Sequence, residues 1–324
     1  MKFVLYNAEL GLERLPGLLT DRGVVDISDL VRKGHDPQRT MCNIIDDYET
    51  LRPRLAEAEA QGTAVPLKQV SLGPPLPRPG KMLNCIGNYW ENRDRDPGPL
   101  NMFLKNPDAV IGPGDTIRLP NFDEPSSFMH EAELALVMKG PSKDVPAERW
   151  RDAVFGYTAA IDVTARGEGR YTWKKMSWLG KSFDTFAPLG PCIVTADEIE
   201  NPNDLHVRFW NDGELRHDYS TSDMEHTVPE LVAFSTKLMT INTGDVISCG
   251  TNHEGLGYLQ DSETVRIHIE GIGEMTLGVV DPLKRRWERG VYMGKDSTNH
   301  AAIRQHKPEL EGTLRCGQHG GGAG

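Results

Sequence analysis

The chain has no long apolar run. Nothing in its 324 residues approaches the ~20 consecutive apolar residues that cross a bilayer. The opening MKFVLYNAELGLERL also has too short an apolar stretch for a secretory signal. A membrane-spanning helix is therefore excluded, and a soluble, cytoplasmic protein is expected. Positive charge is in deficit: 36 Lys and Arg stand against 47 Asp and Glu, for a formal net charge of −11. That leaves no electrostatic footing for nucleic acid or an anionic membrane surface. An anionic substrate would need local positive charge or a metal ion. Cysteine is sparse, and Cys42, Cys85, Cys192, Cys249 and Cys316 are odd in number and lack close-paired spacing. This excludes a disulfide framework and a structural zinc site, and leaves most of them as small buried hydrophobes. No internal repeat is present.

Short strand-like runs dominate what remains. Residues 1–75 hold KFVLYN, GVVDIS and a charged helical stretch around DDYETLRPRLAEAEAQG, read as a small N-terminal domain. The breaker-rich SLGPPLPRPGK that follows marks its boundary. Beyond Lys81 come AVIGPGDTIRLP, GPCIVTA, HVRFWNDGEL, DVISCG and TVRIHIEGIGEMTLGVV, with helices expected at PAERWRDAV and HTVPELVAFSTKLM. Thr227 and Glu230 have capping-box spacing, and Asn211-Asp212-Gly213 predicts a hairpin turn. The polar tail, 291–324, ends HGGGAG and is expected to be loosely ordered.

The stretch FMHEAELALVM, 128–138, carries two glutamates, and from Glu133 onward ELALVM reads as strand, with both acids at its end. Period two places Glu131 and Glu133 on one face with Met129, Ala135 and Val137, and His130 on the other. Like charges that close need either solvent or something positive between them. A third acid, Asp162, follows the apolar run in GYTAAIDVTAR and precedes Arg166. Three carboxylates without supporting His or Cys suit a hard cation such as Mg²⁺, or else form a solvated sheet edge. Two other motifs fail. HEAEL has Leu134 where a zinc protease needs its second histidine, and GKS at 180–182 has Lys175 where a phosphate-binding loop needs glycine.

The ordered series GPGDTIRLP, HEAELALVM, GYTAAIDVTAR, GKSFDTFAPLGP, NDGEL and GTNHEGLG resembles the fumarylacetoacetate hydrolase superfamily. The resemblance implies a mixed β/α+β fold with a β-roll catalytic domain over 81–290, often dimeric. It also implies Mg²⁺ or Mn²⁺ held by Glu131, Glu133 and Asp162, with Lys181 and Thr251 as site residues. The expected substrate is a small anionic 2-oxo acid or 1,3-dicarbonyl, with Arg166, Thr251, Tyr89 and Lys105 at its binding site. A chelating metal would polarise the carbonyl and stabilise an enolate, and Lys181 would hold the enolate oxygen or move a proton. A homodimer is expected, partly because a sheet-rich domain must protect its edges.

Hydrolases of this superfamily carry N-Y-x-x-H-x-x-E on a lid segment. In CIGNYWENRDRD that register puts Asn92 and Arg95 at the histidine and glutamate positions, and neither is a general base at neutral pH. In GTNHEGLG, where the family more often has G-T-P-x-G-x-G, His253 and Glu254 stand beside Thr251. His253 is the candidate base and Glu254 its candidate orienting partner. The leading expectation is metal-dependent hydrolysis of a C–C bond in an acylpyruvate-like acid. The alternative is an isomerase, tautomerase or decarboxylase acting on a 2-oxo or 2-hydroxy-dienoic acid of aromatic-compound catabolism. A non-catalytic relative is disfavoured by the intact Glu131, Glu133, Asp162 and Lys181.

Overall fold

The computed structural model describes residues 1–8, 14–91, 94–122, 126–167 and 169–287. Asn92, Cys316 and the tail at 291–324 lie outside them. The chain runs through β1 (Lys2–Ala8), β2 (Leu15–Thr20), β3 (Gly23–Asp26), α1 (Pro37–Gln61), β4 (Ala64–Val65), β5 (Val70–Gly73), β6 (Met82–Cys85) and β7 (Met102–Lys105). It continues with β8 (Val110–Ile111), β9 (Thr116–Arg118), β10 (Ser126–Met129), β11 (Ala132–Met138), β12 (Val154–Ile161), β13 (Thr164–Gly167), α2 (Trp173–Met176) and β14 (Ala187–Thr195). β15 (His206–Asn211), β16 (Glu214–Ser220), α3 (Val228–Leu238), β17 (Val246–Ser248), β18 (Thr264–Ile269) and β19 (Gly273–Val280) complete it.

Twelve strands form one sheet in the order β4-β3-β2-β1-β14-β12-β11-β17-β6-β7, with β5 on β1 and β8 on β14. A five-stranded sheet, β16-β15-β18-β19-β9, packs over one face through Val207, Phe209, Ile267 and Leu277, which share a core with Leu134 and Leu136. α1 covers the other face, where Met41, Ile44 and Tyr48 meet Phe3, Val137 and Phe155. The mixed fold matches expectation. The described strands of residues 1–75, however, all join the large sheet. β1 pairs antiparallel with β14, Phe3 opposite Ile193, so the large sheet runs straight across the proposed boundary.

Local chemistry explains most elements. Asp36 caps α1 by accepting from the Arg39 N–H, and Pro37 suits the first turn. The helix therefore starts before the acidic stretch that signals it in the sequence. Glu230 Oε2 accepts from the Thr227 N–H at 2.7 Å, the expected capping contact of α3. Asp212 and Gly213 both take positive φ between β15 and β16, as a two-residue hairpin turn demands. PAERWRDAV differs: it forms 3₁₀ turns over Ala147–Ala153 with a kink at Arg149, and Val154 enters β12. Cys42, Cys85, Cys192 and Cys249 are free and buried, as read from their spacing.

Candidate active site

FMHEAELALVM is not one strand. It breaks at residues 130–131, between β10 and β11, and the facing hairpin arm breaks at 162–163, between β12 and β13. Met129 still faces Thr164 and Ala132 faces Ile161. The hairpin thus bends out of the large sheet into a two-stranded arm, and Glu131 and Asp162 stand at the bend. The Asp162 N–H donates to the Glu131 carbonyl at 2.8 Å, which ties the two residues together. Glu133 lies on β11 opposite Ala160. Ligand oxygens of Glu131, Glu133 and Asp162 fall within 4.8 Å of one another, and all three side chains are buried. The solvated-edge alternative is thereby removed.

Something positive does sit between the acids. Lys181 Nζ donates to Glu131 Oε2 and to Asp162 Oδ2, both at 2.8 Å. Lys105 Nζ donates to Asp162 Oδ1 at 2.5 Å, and Arg166 donates to Glu131 Oε1 at 2.7 Å. Burial alone would raise the Glu131 carboxyl, but Lys181 and Arg166 outweigh it and hold the group well below the usual carboxylate range. Lys181 is likewise opposed by burial, yet Asp162 and Glu131 win and stabilise its ammonium. Burial dominates at Lys105 and lowers it.

Glu133 behaves differently from its neighbours. Its Oε2 accepts from Ser248 Oγ and from the Gly250 N–H, whereas Oε1 is buried without a partner among the described residues. Burial, then the charges of Asp162 and Glu131, push its carboxyl up to about 8. An orphaned buried carboxylate oxygen beside two more acids is the donor set a hard divalent cation requires, so Mg²⁺ or Mn²⁺ fits this cluster.

A pH dependence follows. The folded value of Glu133 lies above its ordinary 4.5, so in metal-free protein its contribution to stability is complete below that pH. It is lost as pH rises through about 8. Metal binding must displace this proton. Calorimetry at pH 7 in buffers of different ionisation enthalpy should show about one proton released per ion, with affinity rising about tenfold per pH unit until about pH 8; a pH-independent affinity would contradict it.

The Gly-Thr turn closes over the acids. Gly250 takes a positive φ, and a Cβ there would come within 3.2 Å of Asn88 Cβ, so glycine brings its N–H onto Glu133. Thr251 follows, buried, with Oγ1 donating to the Asn252 carbonyl at 3.3 Å. His253 comes next, and its Nδ1 lies 2.5 Å from Glu91 Oε1. Glu254, expected from adjacency to orient His253, joins the turn through its backbone N–H on Asn252 Oδ1. A carboxylate on the imidazole comes from Glu91, a residue outside those expected from the sequence. The only local signal was its place two residues after Tyr89.

Other expected residues divide into those at the acids and those behind them. Arg166 and Lys105 are engaged by Glu131 and Asp162. Tyr89 is buried with its ring 5.1 Å from that of Tyr219, edge to face. Arg95 turns to Glu225. His130 is buried, stacked on Phe209 and 3.0 Å from His217.

Residues 86–280 match the family model described as the fumarylacetoacetate (FAA) hydrolase C-terminal domain. The chain belongs to the fumarylacetoacetate hydrolase family. Among its relatives, maleylpyruvate hydrolase of Aquipseudomonas alcaligenes is 31% identical over 262 residues, 76% of this chain and 86% of that protein. Oxaloacetate tautomerase fahd2 of Xenopus laevis is 36% identical over 223 residues, 65% of this chain and 69% of that protein. The crystal structure of maleylpyruvate hydrolase from Sphingobium sp. SYK-6, in complex with manganese(II) ion and pyruvate, superposes with a TM-score of 0.76 at 31% identity. It covers 87% of this chain and 99% of that one. Family membership makes this chain an enzyme, and its relatives include hydrolases, tautomerases and isomerases.

Proposed function

We propose that the chain hydrolyses a C–C bond in an acylpyruvate-like acid, with a divalent ion held by Glu131, Glu133 and Asp162. The observation that carries this reading is the buried set of three carboxylates matched by Lys105, Lys181 and Arg166. With all six ionised the set is electrically neutral. A divalent cation adds two positive charges, which the carboxylate and enolate of a 2-oxo acid would balance. The ion, when bound, supplies Lewis-acid stabilisation of developing negative charge.

Each protein group then has a task. Arg166 and Thr251 orient the acid, and Lys181, held as ammonium, donates to the oxygen that gains charge as the enolate forms. Tyr89 is buried against Tyr219. His253 takes a proton from water as the water oxygen adds to the acyl carbon. The bond to the neighbouring carbon breaks, its electron pair becomes the pyruvate enolate, and a proton returns to that carbon. One observation favours a tautomerase instead: Arg95, at the position of the lid glutamate, is consumed by Glu225. A tautomerase needs no attacking water.

Acetylpyruvate with Mn²⁺ in ¹⁸O-water separates the two. Hydrolysis gives pyruvate plus acetate carrying solvent oxygen beyond ordinary ketone exchange. A tautomerase interconverts keto and enol forms and releases no acetate, and that result would reject the hydrolase reading.

Assembly is part of the same proposal. Ile86 and Leu104 are each 45% exposed at the β6–β7 edge, and Trp178 and Leu179 are equally exposed on the 3₁₀ turn packed beside β7. Pairing of two copies would cover this apolar edge. Light scattering at micromolar concentration should give twice the 36.0 kDa chain mass; a monomer mass across dilution would contradict it.

A further inference from the structure

The segment after β6 is laced to two other parts of the chain. Asn88 Nδ2 donates to the carbonyls of His226 and Cys249, and Asn88 Oδ1 accepts from the His226 N–H at 2.9 Å. The Trp90 N–H donates to the Asp223 carbonyl. The Glu91 N–H donates to Asp223 Oδ2, which also accepts from Asn252 Nδ2 at 3.0 Å. This lacing holds Glu91 at φ +52°, a left-handed conformation that a glutamate adopts only when its surroundings over-determine it.

What the conformation achieves is specific. A single oxygen, Glu91 Oε1, accepts both the backbone N–H of His253 at 2.8 Å and its ring Nδ1 at 2.5 Å. Both the position and the rotation of the imidazole are thereby fixed by one carboxylate. The Glu91 side chain is only 4% exposed, whereas that of His253 is 25% exposed. The acid is sealed behind the ring and the ring reaches open space. A buried carboxylate on Nδ1–H leaves Nε2 with its lone pair, the form in which histidine accepts a proton.

We propose that Glu91 is the positioning residue for His253. It holds the Nδ1–H tautomer and counters the charge the ring acquires when it takes a proton from water. The base and its orienting acid then come from two loops, the Gly-Thr turn and the segment after β6, and the pair exists only while Asp223 and Asn252 clasp the two. The kinetic arm of this proposal rests on the hydrolase reading; its structural arm does not.

The test uses the full chain. In ¹⁵N-histidine-labelled metal-free protein above the imidazole titration, His253, assigned by its loss in His253→Ala, should show protonated Nδ1 and a bare Nε2. The opposite tautomer overturns the proposal, and this measurement needs no substitution at Glu91. Glu91→Leu should release the tautomer and lower kcat for acetylpyruvate about 10²-fold, with KM and Mn²⁺ affinity within threefold of the parent. Glu91→Gln, which keeps an acceptor, should restore the tautomer and part of kcat. In a His253→Ala background, Glu91→Leu should cost nothing further. An equal loss in that background would show a merely structural glutamate and defeat the proposal. If the parent cleaves no acetylpyruvate, the hydrolase reading fails while the tautomer still decides the pair.

Discussion

Replacing Asp162 by asparagine should cost the metal-free fold about 3–5 kcal/mol, the range for removing one partner of a buried ion pair. Asp162 is fully buried, and its two oxygens receive Lys105 and Lys181 separately. Lys181 keeps Glu131 as a second acid. Among the described residues Lys105 keeps the carbonyls of Val163 and Lys181, so its charge is left buried without a carboxylate among those contacts. Urea denaturation of the metal-free protein measures the loss. Adding Lys105→Met should recover much of it, because the stranded charge goes with the lysine. An asparagine variant within about 1 kcal/mol of the parent would show that Lys105 finds another solution and does not depend on Asp162.

Glu133→Gln should do the opposite. Near neutral pH the Glu133 carboxyl, pushed up to about 8 by burial and its acidic neighbours, already carries a proton in metal-free protein. An amide of the same shape can still accept from Ser248 and Gly250, so stability should change by no more than about 1 kcal/mol. Metal affinity, however, loses an anionic ligand and should fall by about 10²-fold or more. Mn²⁺ titration followed by calorimetry or paramagnetic relaxation decides it. Unchanged affinity would remove Glu133 from the metal site.

The contrast shows what period-two reasoning can and cannot reach. It placed Glu133 on one face of β11 with Ala135 and Val137, and the structure keeps those two apolar residues together in the core beneath α1. It carried Glu131 along on the same continuous strand. In fact the strand ends at Ala132, and Glu131 owes its position to a bend that matches the break before β13. A break of that kind depends on the facing strand rather than on local spacing, so it leaves no mark in one arm alone. The three-acid pattern itself pointed to Asp162, and the resemblance added Lys181 through a contiguous motif. Glu91 escaped because its partner lies 162 residues away and its conformation is imposed by Asp223 and Asn252. The family register from Asn88-Tyr89 runs to Asn92 and Arg95 and passes over Glu91.

The β1–β14 pairing has a practical meaning for anyone wishing to cut or graft this enzyme. Residues 1–75 look detachable on paper, bounded by a proline cluster. Excising them would turn the part of β14 paired with β1, at Ile193 and Val194, into a raw sheet margin. It would also uncover Phe155 and Ile193, which pack in the core shared with Phe3 and Leu5. A shortened catalytic fragment would thus expose both unpaired backbone and apolar surface, the combination that drives edge-to-edge aggregation. The opening segment is a wall of the catalytic body, and protein engineering here has to treat the chain as one piece from Lys2 onward.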